Sequence, residues 1–275
     1  ITRLMNEAPQ PDIDIESIDK DLISDWVLLK TPYPVVSILL VYLIMLILGP
    51  RFMASREPYN MRIIMRVYDA LQVILNLYIF LGFSIYPDRI LKLSRRVCSL
   101  EEEGNYNYMV PVTMVYGWRY LVVKILDLLD TMFMILRKKS SHITFLHVYH
   151  HTAMVFFTYF TFTRDNGPHG VTIGGINVLV HIVMYSYYFL ATFPQLEKYL
   201  WWKKHLTKLQ LGQFVVILTY VSLLYINGCP ISRTFTYVWL FNISVILMLF
   251  MNFYIKAYMN RSPLDKQKKK PFKNS

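Results

Sequence analysis

Residues 236–258 read TYVWLFNISVILMLFMNFYIKAY and carry one formal charge, on Lys256, in 23 positions. A helix needs about 20 mostly apolar residues to cross the hydrocarbon core of a bilayer. This stretch therefore predicts a transmembrane helix. The composition of the whole 275-residue chain agrees, because 55% of its residues are hydrophobic and only 17% are charged.

Six further apolar windows precede this one, and the seven together predict an all-α, multi-pass membrane protein with seven transmembrane helices. The windows are 35–49, 67–86, 110–136, 143–163, 171–190, 206–227 and 236–258. We divide the chain into an N-terminal segment 1–34 with a short surface helix over 18–29, a seven-helix membrane domain 35–258, and a basic disordered tail 259–275.

The net charge of +11 is explained by orientation in the bilayer, because lysines and arginines lie in the short loops between spans. With the N-terminus outside, the cytosolic segments hold 18 Lys and Arg residues and the outer segments hold 9. Cytosolic loops of membrane proteins carry such an excess, so the tail is expected in the cytosol. Nucleic-acid binding is disfavoured, because aromatic residues inside lipid form no platform for bases.

Charged and imidazole side chains occur inside successive spans, although each charge costs about 2.5–3.5 kcal/mol on insertion scales. In the third span, Lys124, Asp127 and Asp130 are spaced by three, so one helical face can hold them. A self-neutralising ion pair would explain these charges equally well. In the fourth span, His147, His150 and His151 fall within five positions, which packing alone hardly explains.

The fifth and sixth spans carry polar stripes as well, with Asn177 and His181 four apart and Thr207 and Gln210 three apart. At about 1.5 Å of rise per residue, every stripe lies in the cytosolic half of its helix or near the midplane. We therefore predict that six of the seven helices enclose a cytosol-facing substrate tunnel with an apolar far end. A substrate with an anionic head and a fatty tail would fit such a tunnel.

These stripes resemble the motifs of the very-long-chain fatty acid elongases, the condensing enzymes of the endoplasmic reticulum. The resembling segments are 147–151 (His-x-x-His-His), 177–188 (Asn-x-x-x-His-x-x-Met-Tyr-x-Tyr-Tyr), 207–213 (Thr-x-x-Gln-x-x-Gln) and 124–131 (Lys-x-x-Glu-x-x-Asp-Thr). The sequence departs from the family once, because Asp127 stands where the family has Glu. The resemblance covers all seven spans.

The resemblance implies that a long-chain acyl-CoA condenses with malonyl-CoA, releasing CO₂ and CoA and giving a 3-oxoacyl-CoA two carbons longer. It implies a multi-pass protein of the endoplasmic reticulum membrane, with a luminal N-terminus and a cytosolic C-terminus. Membrane lipid surrounds it, and other elongation-cycle enzymes and a second copy of the chain are possible partners. No metal or cofactor is expected beyond the two substrates.

Four histidines are the predicted catalytic residues. His150 is the expected nucleophile, because imidazole can form a covalent acyl intermediate and both cysteines fall outside the cytosolic half. His181 would face it, while His147 and His151 would orient groups or transfer protons. Asp127 and Asp130 could hold imidazole tautomers. A rival mechanism has no covalent step and uses a histidine only as base.

The remaining predicted site residues would bind the CoA part of the substrates. Phosphate groups are assigned to the basic residues Arg137, Lys139, Lys203 and Lys204. Candidates for the pantetheine and thioester are Lys124, His142, Tyr187, Thr207 and Gln210, and Asn177 belongs to the same substrate site.

Two other protein classes also fit parts of the pattern. A metal-dependent membrane desaturase or hydroxylase also uses histidine motifs, but only four of the seven histidines fall within the spans. A seven-helix receptor shares the topology, but the chain lacks an Asp-Arg-Tyr motif at the end of the third span and an Asn-Pro-x-x-Tyr motif in the seventh. Cys98 follows the second span and Cys229 the sixth, so both lie on the non-cytosolic side. A disulfide between them and two unrelated thiols are equally compatible with these positions.

Overall fold

The computed structural model describes residues 26–84, 106–164, 168–229 and 232–260, and all regular structure in these ranges is helical. The helices are α1 (Tyr33–Met53), α2 (Arg62–Ser84), α3 (Tyr106–Leu126), α4 (Leu129–Leu136), α5 (Phe145–Arg164), α6 (Pro168–Ala191), α7 (Lys203–Ile226) and α8 (Arg233–Tyr254). Short 3₁₀ turns follow α4 and α6, and a π-helical turn, Ile255–Met259, ends α8.

Among the described residues, five helices are long and apolar enough to cross a membrane: Tyr33–Met53, Arg62–Gly82, His169–Ala191, Lys203–Ile226 and Thr236–Met259. Their apolar side chains stay exposed along one side, as on α1, where Leu40, Val41 and Ile44 are each at least half exposed. The other two long helices, α3 and α5, carry the buried lysine and the histidine motif. Those polar residues lower the mean hydropathy of both helices.

Several helices extend beyond the predicted windows. The helix expected from 67 begins at Arg62, and the one expected from 206 begins at Lys203. Hydropathy falls at the terminal Arg and Lys residues, but the helical backbone continues, because their long side chains can lie along apolar surface and keep the charge outside.

The third predicted span is broken, which corrects the expectation of one continuous helix over 110–136. After Leu126 the backbone tightens to three-residue hydrogen bonds, from Leu128 N to Ile125 O and from Thr131 N to Leu128 O. A stretch of this kind inside a helix is often found at functional positions. The hydroxyl of Tyr68 on α2 donates to Leu126 O at 3.2 Å and so satisfies a carbonyl at the break.

Six long helices form a ring in which each contacts the next, in the order α2, α6, α7, α8, α5, α3 and back to α2. Helix α1 lies outside this ring and packs on α4 and α5. A core cluster at that contact contains Val35 and Tyr42 of α1 with Val155 of α5. The ring agrees with six helices around a centre, while a tunnel opening to the cytosol stays a prediction.

The ends of the predicted domains are only partly described. Residues 26–29, the end of the surface helix expected over 18–29, form a turn in which Leu29 N donates to Trp26 O at 3.0 Å and Leu28 has a φ of 81°. The rest of that helix and residues 261–275 of the tail lie outside the described residues.

Candidate active site

A buried ion pair lies at the break between α3 and α4. Lys124 Nζ is 2.9 Å from Asp127 Oδ2 and 3.2 Å from His181 Nδ1 on α6. The three residues are between 1% and 5% exposed. Removing a charge from water is costly unless it is paired and hydrogen-bonded, and here the lysine meets both a carboxylate and an imidazole. The cluster thus joins two of the four motifs across α3 and α6.

The second oxygen of Asp127 is held by Tyr185 of the 177–188 motif and by Gln72, which the sequence analysis did not single out. Asp127 Oδ1 accepts from Gln72 Nε2 and from the Tyr185 hydroxyl, both at 3.0 Å. Gln72 also donates to the Tyr68 hydroxyl at 3.1 Å. The aspartate side chain is shorter than the glutamate of the family, but neighbours from α2 and α6 still reach its carboxylate.

Helix α2 contributes a whole stripe of buried polar side chains. Tyr68, Gln72 and Asn76 are spaced by four and are at most 7% exposed, and Asp69 beside them is 2% exposed. A sequence signal for this stripe exists, since residues four apart share a helical face and polar groups inside an apolar span are rarely accidental. It was missed because none of these residues belongs to the four motifs.

Asp130 and Thr131 turn to different neighbours. Asp130 Oδ2 lies 2.8 Å from the Tyr185 hydroxyl of α6, so Asp130 and Asp127 share the single proton of that hydroxyl. Thr131 Oγ1 instead lies 3.0 Å from the Tyr42 hydroxyl of α1 and 2.7 Å from His147 Nε2 of α5. Adjacent residues of a helix point about 100° apart, so Asp130 and Thr131 reach different helices.

The histidine motif forms a contiguous group on α5. The rings of His147 and His151 are 4.3 Å apart, and those of His150 and His151 are 5.6 Å apart. His150 also packs edge-to-face on Phe214 of α7 and Phe250 of α8, at 6.3 and 5.9 Å between ring centres. One end of the motif thus contacts Thr131, and the other faces an aromatic wall.

An apolar cavity of about 120 Å³ lies among α3, α5, α6, α7 and α8. Phe214 lines it, and so does Met154, one turn beyond His150. Tyr120 and Asn177 line it too and are joined by a 2.8 Å hydrogen bond, with Lys124 Nζ 5.0 Å from the centre of the Tyr120 ring. Two residues that line the cavity, Tyr120 and Phe214, thus contact Lys124 of the polar cluster and His150 of the histidine motif.

The predicted CoA-binding residues lie at the same end of the bundle, where α4 ends and α7 begins. Lys139, His142, Lys203 and Lys204 are exposed there. Arg137 is half-buried, and its Nη1 donates to Met65 Sδ at 3.0 Å.

Three further predicted binding residues pack between helices at this end. Thr207 Oγ1 lies 3.4 Å from the Tyr258 hydroxyl, and Gln210 Nε2 donates to Met184 Sδ at 3.2 Å. Tyr187 packs on the ring of Trp202, 4.8 Å between centres. The basic residues and these polar side chains thus lie at one end of the bundle.

One of the two cysteines lies within the described residues. Cys229, just beyond α7, is disulfide-bonded. Cys98 lies outside the described residues, so the Cys98–Cys229 pairing stays a prediction. Within the described ranges, no group of three or more His, Cys, Asp and Glu residues is arranged to hold a metal ion.

Helices able to cross a membrane, a buried polar cluster and an apolar cavity define a transmembrane protein with a candidate site inside its helix bundle. The chain belongs to the ELO family, described as the GNS1/SUR4 family, whose model matches residues 27–269. Human very long chain fatty acid elongase 4 is 35% identical over 256 residues, covering 93% of this chain and 78% of the relative.

Two further relatives carry similar names. Very long chain fatty acid elongase 5 of Tachysurus fulvidraco is 31% identical over 252 residues, covering 88% of this chain and 81% of the relative. Very long chain fatty acid elongase 7 of Drosophila melanogaster is 35% identical over 247 residues, covering 88% of this chain and 74% of the relative.

Proposed function

We propose that this chain is a fatty acid elongase that condenses a long-chain acyl-CoA with malonyl-CoA at the histidine motif. The observation that carries the proposal is the position of His150, which packs on Phe214 where that residue lines the apolar cavity. A thioester held there would have its hydrocarbon tail in an apolar chamber and its reacting carbon beside an imidazole. The names of the relatives support the same reaction class.

In the first step, a nitrogen of His150 attacks the thioester carbonyl carbon. The carbon–sulfur bond breaks, CoA leaves as a thiolate that takes up a proton, and the acyl group remains on the imidazole. Histidine is among the side chains that form such covalent intermediates. His151, 5.6 Å away between ring centres, is positioned to receive or return a proton.

In the second step, malonyl-CoA loses CO₂, and the electron pair of the broken bond forms a thioester enolate. The enolate carbon attacks the acyl carbonyl, and the carbon–nitrogen bond to His150 breaks to release the 3-oxoacyl-CoA. Lys124 and His181 supply positive charge and hydrogen-bond donors for oxygen atoms that gain charge in this step. Their separation of 3.2 Å allows both to reach one oxygen.

The CoA nucleotide would lie at the basic end of the bundle, held by Arg137, Lys139, Lys203 and Lys204. This arrangement requires the basic end of the bundle to face the cytosol, where both substrates occur. The C-terminal tail would then lie in the cytosol as well. We place the protein in the endoplasmic reticulum membrane on the strength of its family resemblance.

The test is intact-protein mass spectrometry after incubation with palmitoyl-CoA alone. We expect free CoA and one acyl group on the protein, with the group mapped to His150. The variant His150→Ala should lose both the adduct and condensation. Arg137→Ala should raise KM and leave kcat nearly unchanged, because a phosphate contact is made equally in ground and transition states.

Two outcomes would contradict parts of this proposal. If condensation proceeds but no adduct forms on any residue, His150 is not the nucleophile and the general-base mechanism replaces the covalent one. If labelled malonyl-CoA gives no elongated product with any acyl-CoA, the proposed reaction itself is wrong.

A further inference from the structure

One glycine makes an unusually close contact inside the cavity. Gly117 of α3 and Phe162 of α5 both line the chamber. A Cβ atom added to Gly117 would overlap Phe162 Cε2 and lie only 2.6 Å from Cδ2. Real side chains do not approach so closely, so the ring occupies a notch that exists only because residue 117 has no side chain.

Phe162 lies well beyond the reacting histidine along the same helix. Twelve residues separate it from His150 on α5, which corresponds to about 18 Å at 1.5 Å per residue. An extended hydrocarbon with bonds of about 1.5 Å and angles near 111° advances about 1.25 Å per carbon. A tail that starts at His150 therefore reaches the level of Phe162 at about its fourteenth carbon.

We propose that the Gly117–Phe162 contact sets the length of acyl chain that the cavity accepts, by keeping the Phe162 ring out of the path of the tail. The inference rests on the proposed function, because it takes His150 as the site of the thioester. Straight acyl chains of more than about 14 carbons must pass the ring, and the inference is that the cavity accepts them.

The direction of the effect follows from packing. Phe162 is 7% exposed, so it is enclosed by protein on most sides. Protein interiors are close-packed and resist displacement, whereas the chamber beside the ring is empty space. A methyl group on residue 117 would therefore push the ring into the chamber and block the tail at that level.

The experiment compares wild type, Gly117→Ala, Phe162→Leu and the double variant Gly117→Ala/Phe162→Leu, each purified as the full chain, on saturated acyl-CoAs of 10, 12, 14, 16, 18 and 20 carbons. The readouts are kcat/KM for elongation and thermal stabilisation by each acyl-CoA, which measures binding without turnover. For Gly117→Ala we expect at least a tenfold loss of both activity and stabilisation above about 14 carbons, with 10 and 12 carbons changed less than twofold.

Phe162→Leu alone should leave the wild-type length profile unchanged, because the ring already lies out of the path of the tail. The double variant Gly117→Ala/Phe162→Leu should recover activity and stabilisation above about 14 carbons, because the smaller side chain leaves the path open, and it covers the case in which Gly117→Ala alone fails to fold. The matched control is Gly212→Ala, because that helical glycine of α7 is exposed and a methyl group added there would have no atom within 4 Å. It should leave the length profile unchanged.

The contact does not set chain length if Gly117→Ala lowers activity equally at every length, if it leaves the profile of an active enzyme unchanged, or if the double variant does not recover the longer chains. A wild type that elongates no acyl-CoA contradicts the proposed function instead. The stabilisation profile then still decides the inference, because it reports how far a bound tail extends.

Discussion

At the scale of single residues, the charge of Asp127 is balanced by contacts from three helices. Lys124 pairs with one carboxylate oxygen, while Gln72 and Tyr185 donate to the other. Asp127 stands where the family has a glutamate, whose side chain is longer. The aspartate nevertheless reaches Lys124, because its Oδ2 lies 2.9 Å from Nζ. The distance from Asp127 Oδ2 to His181 Nδ1 is longer, at 3.7 Å.

We predict that Lys124→Met lowers the free energy of unfolding by about 3–5 kcal/mol, because it leaves a buried carboxylate without its cation. The double variant Lys124→Met/Asp127→Asn should recover more than half of this loss, since the amide oxygen still accepts from Gln72 and Tyr185. Denaturant unfolding in detergent measures both. A double variant no more stable than the single one would contradict the role of the charge pair.

Gln72 acts through Asp127, so we predict a kinetic effect with little change in substrate binding. Gln72→Leu should lower kcat about tenfold, equivalent to about 1.4 kcal/mol, with KM within twofold. Gln195→Leu is the matched control, because Gln195 is exposed in the turn after α6. A rise in KM alone would show that Gln72 contributes to binding rather than to the position of Asp127.

At the scale of helices, the motif residues at the break between α3 and α4 meet neighbours on different helices. Asp127 and Asp130 turn towards α2 and α6, whereas Thr131 turns towards α1 and α5. Adjacent residues of a helix point about 100° apart. One short segment therefore connects the buried ion pair to the histidine motif.

We predict that Thr131→Val lowers the free energy of unfolding by about 1–3 kcal/mol, since it removes the partner of two buried polar groups. Those groups are the Tyr42 hydroxyl and His147 Nε2. Tyr42→Phe should cost less, because Thr131 then keeps its contact with His147. The thermal unfolding midpoints should rank wild type, Tyr42→Phe and Thr131→Val in descending order, and an equal midpoint for all three would refute the prediction.

At the scale of the whole molecule, five of the six ring helices line an apolar cavity, namely α3, α5, α6, α7 and α8. The lysines and arginines at the ends of α1, α4 and α7 lie at one end of the bundle. Charge counts predict that this end faces the cytosol, and the proposed substrates would then enter from there.

We predict opposite sidedness for two exposed loop serines. In sealed microsomes, a membrane-impermeant maleimide should label Ser55→Cys, between α1 and α2, without detergent. It should label Ser232→Cys, before α8, only after the membrane is opened. Both positions are exposed, and the described part of the chain contains no free cysteine that would react in parallel. Labelling in the reverse pattern would overturn the orientation.

The amino-acid sequence alone determined where the helices lie and which motifs they carry. Apolar runs such as 236–258 predict helices because only a helix satisfies the backbone of a chain in lipid. The relation to the elongases followed from spacings within single helices, which are local properties. Helix ends were less accurate, as at Arg62 and Lys203, because hydropathy changes there while backbone hydrogen bonding does not.

Only the tertiary structure decided which polar groups meet. The stripe Tyr68, Gln72 and Asn76 belongs to α2, yet it serves Asp127, which lies 55 positions beyond Gln72 in the chain. The break after Leu126 and the notch at Gly117 likewise depend on Tyr68 and Phe162, which reach them from other helices. Such contacts arise from the packing of helices far apart in sequence, so no spacing within one helix encodes them.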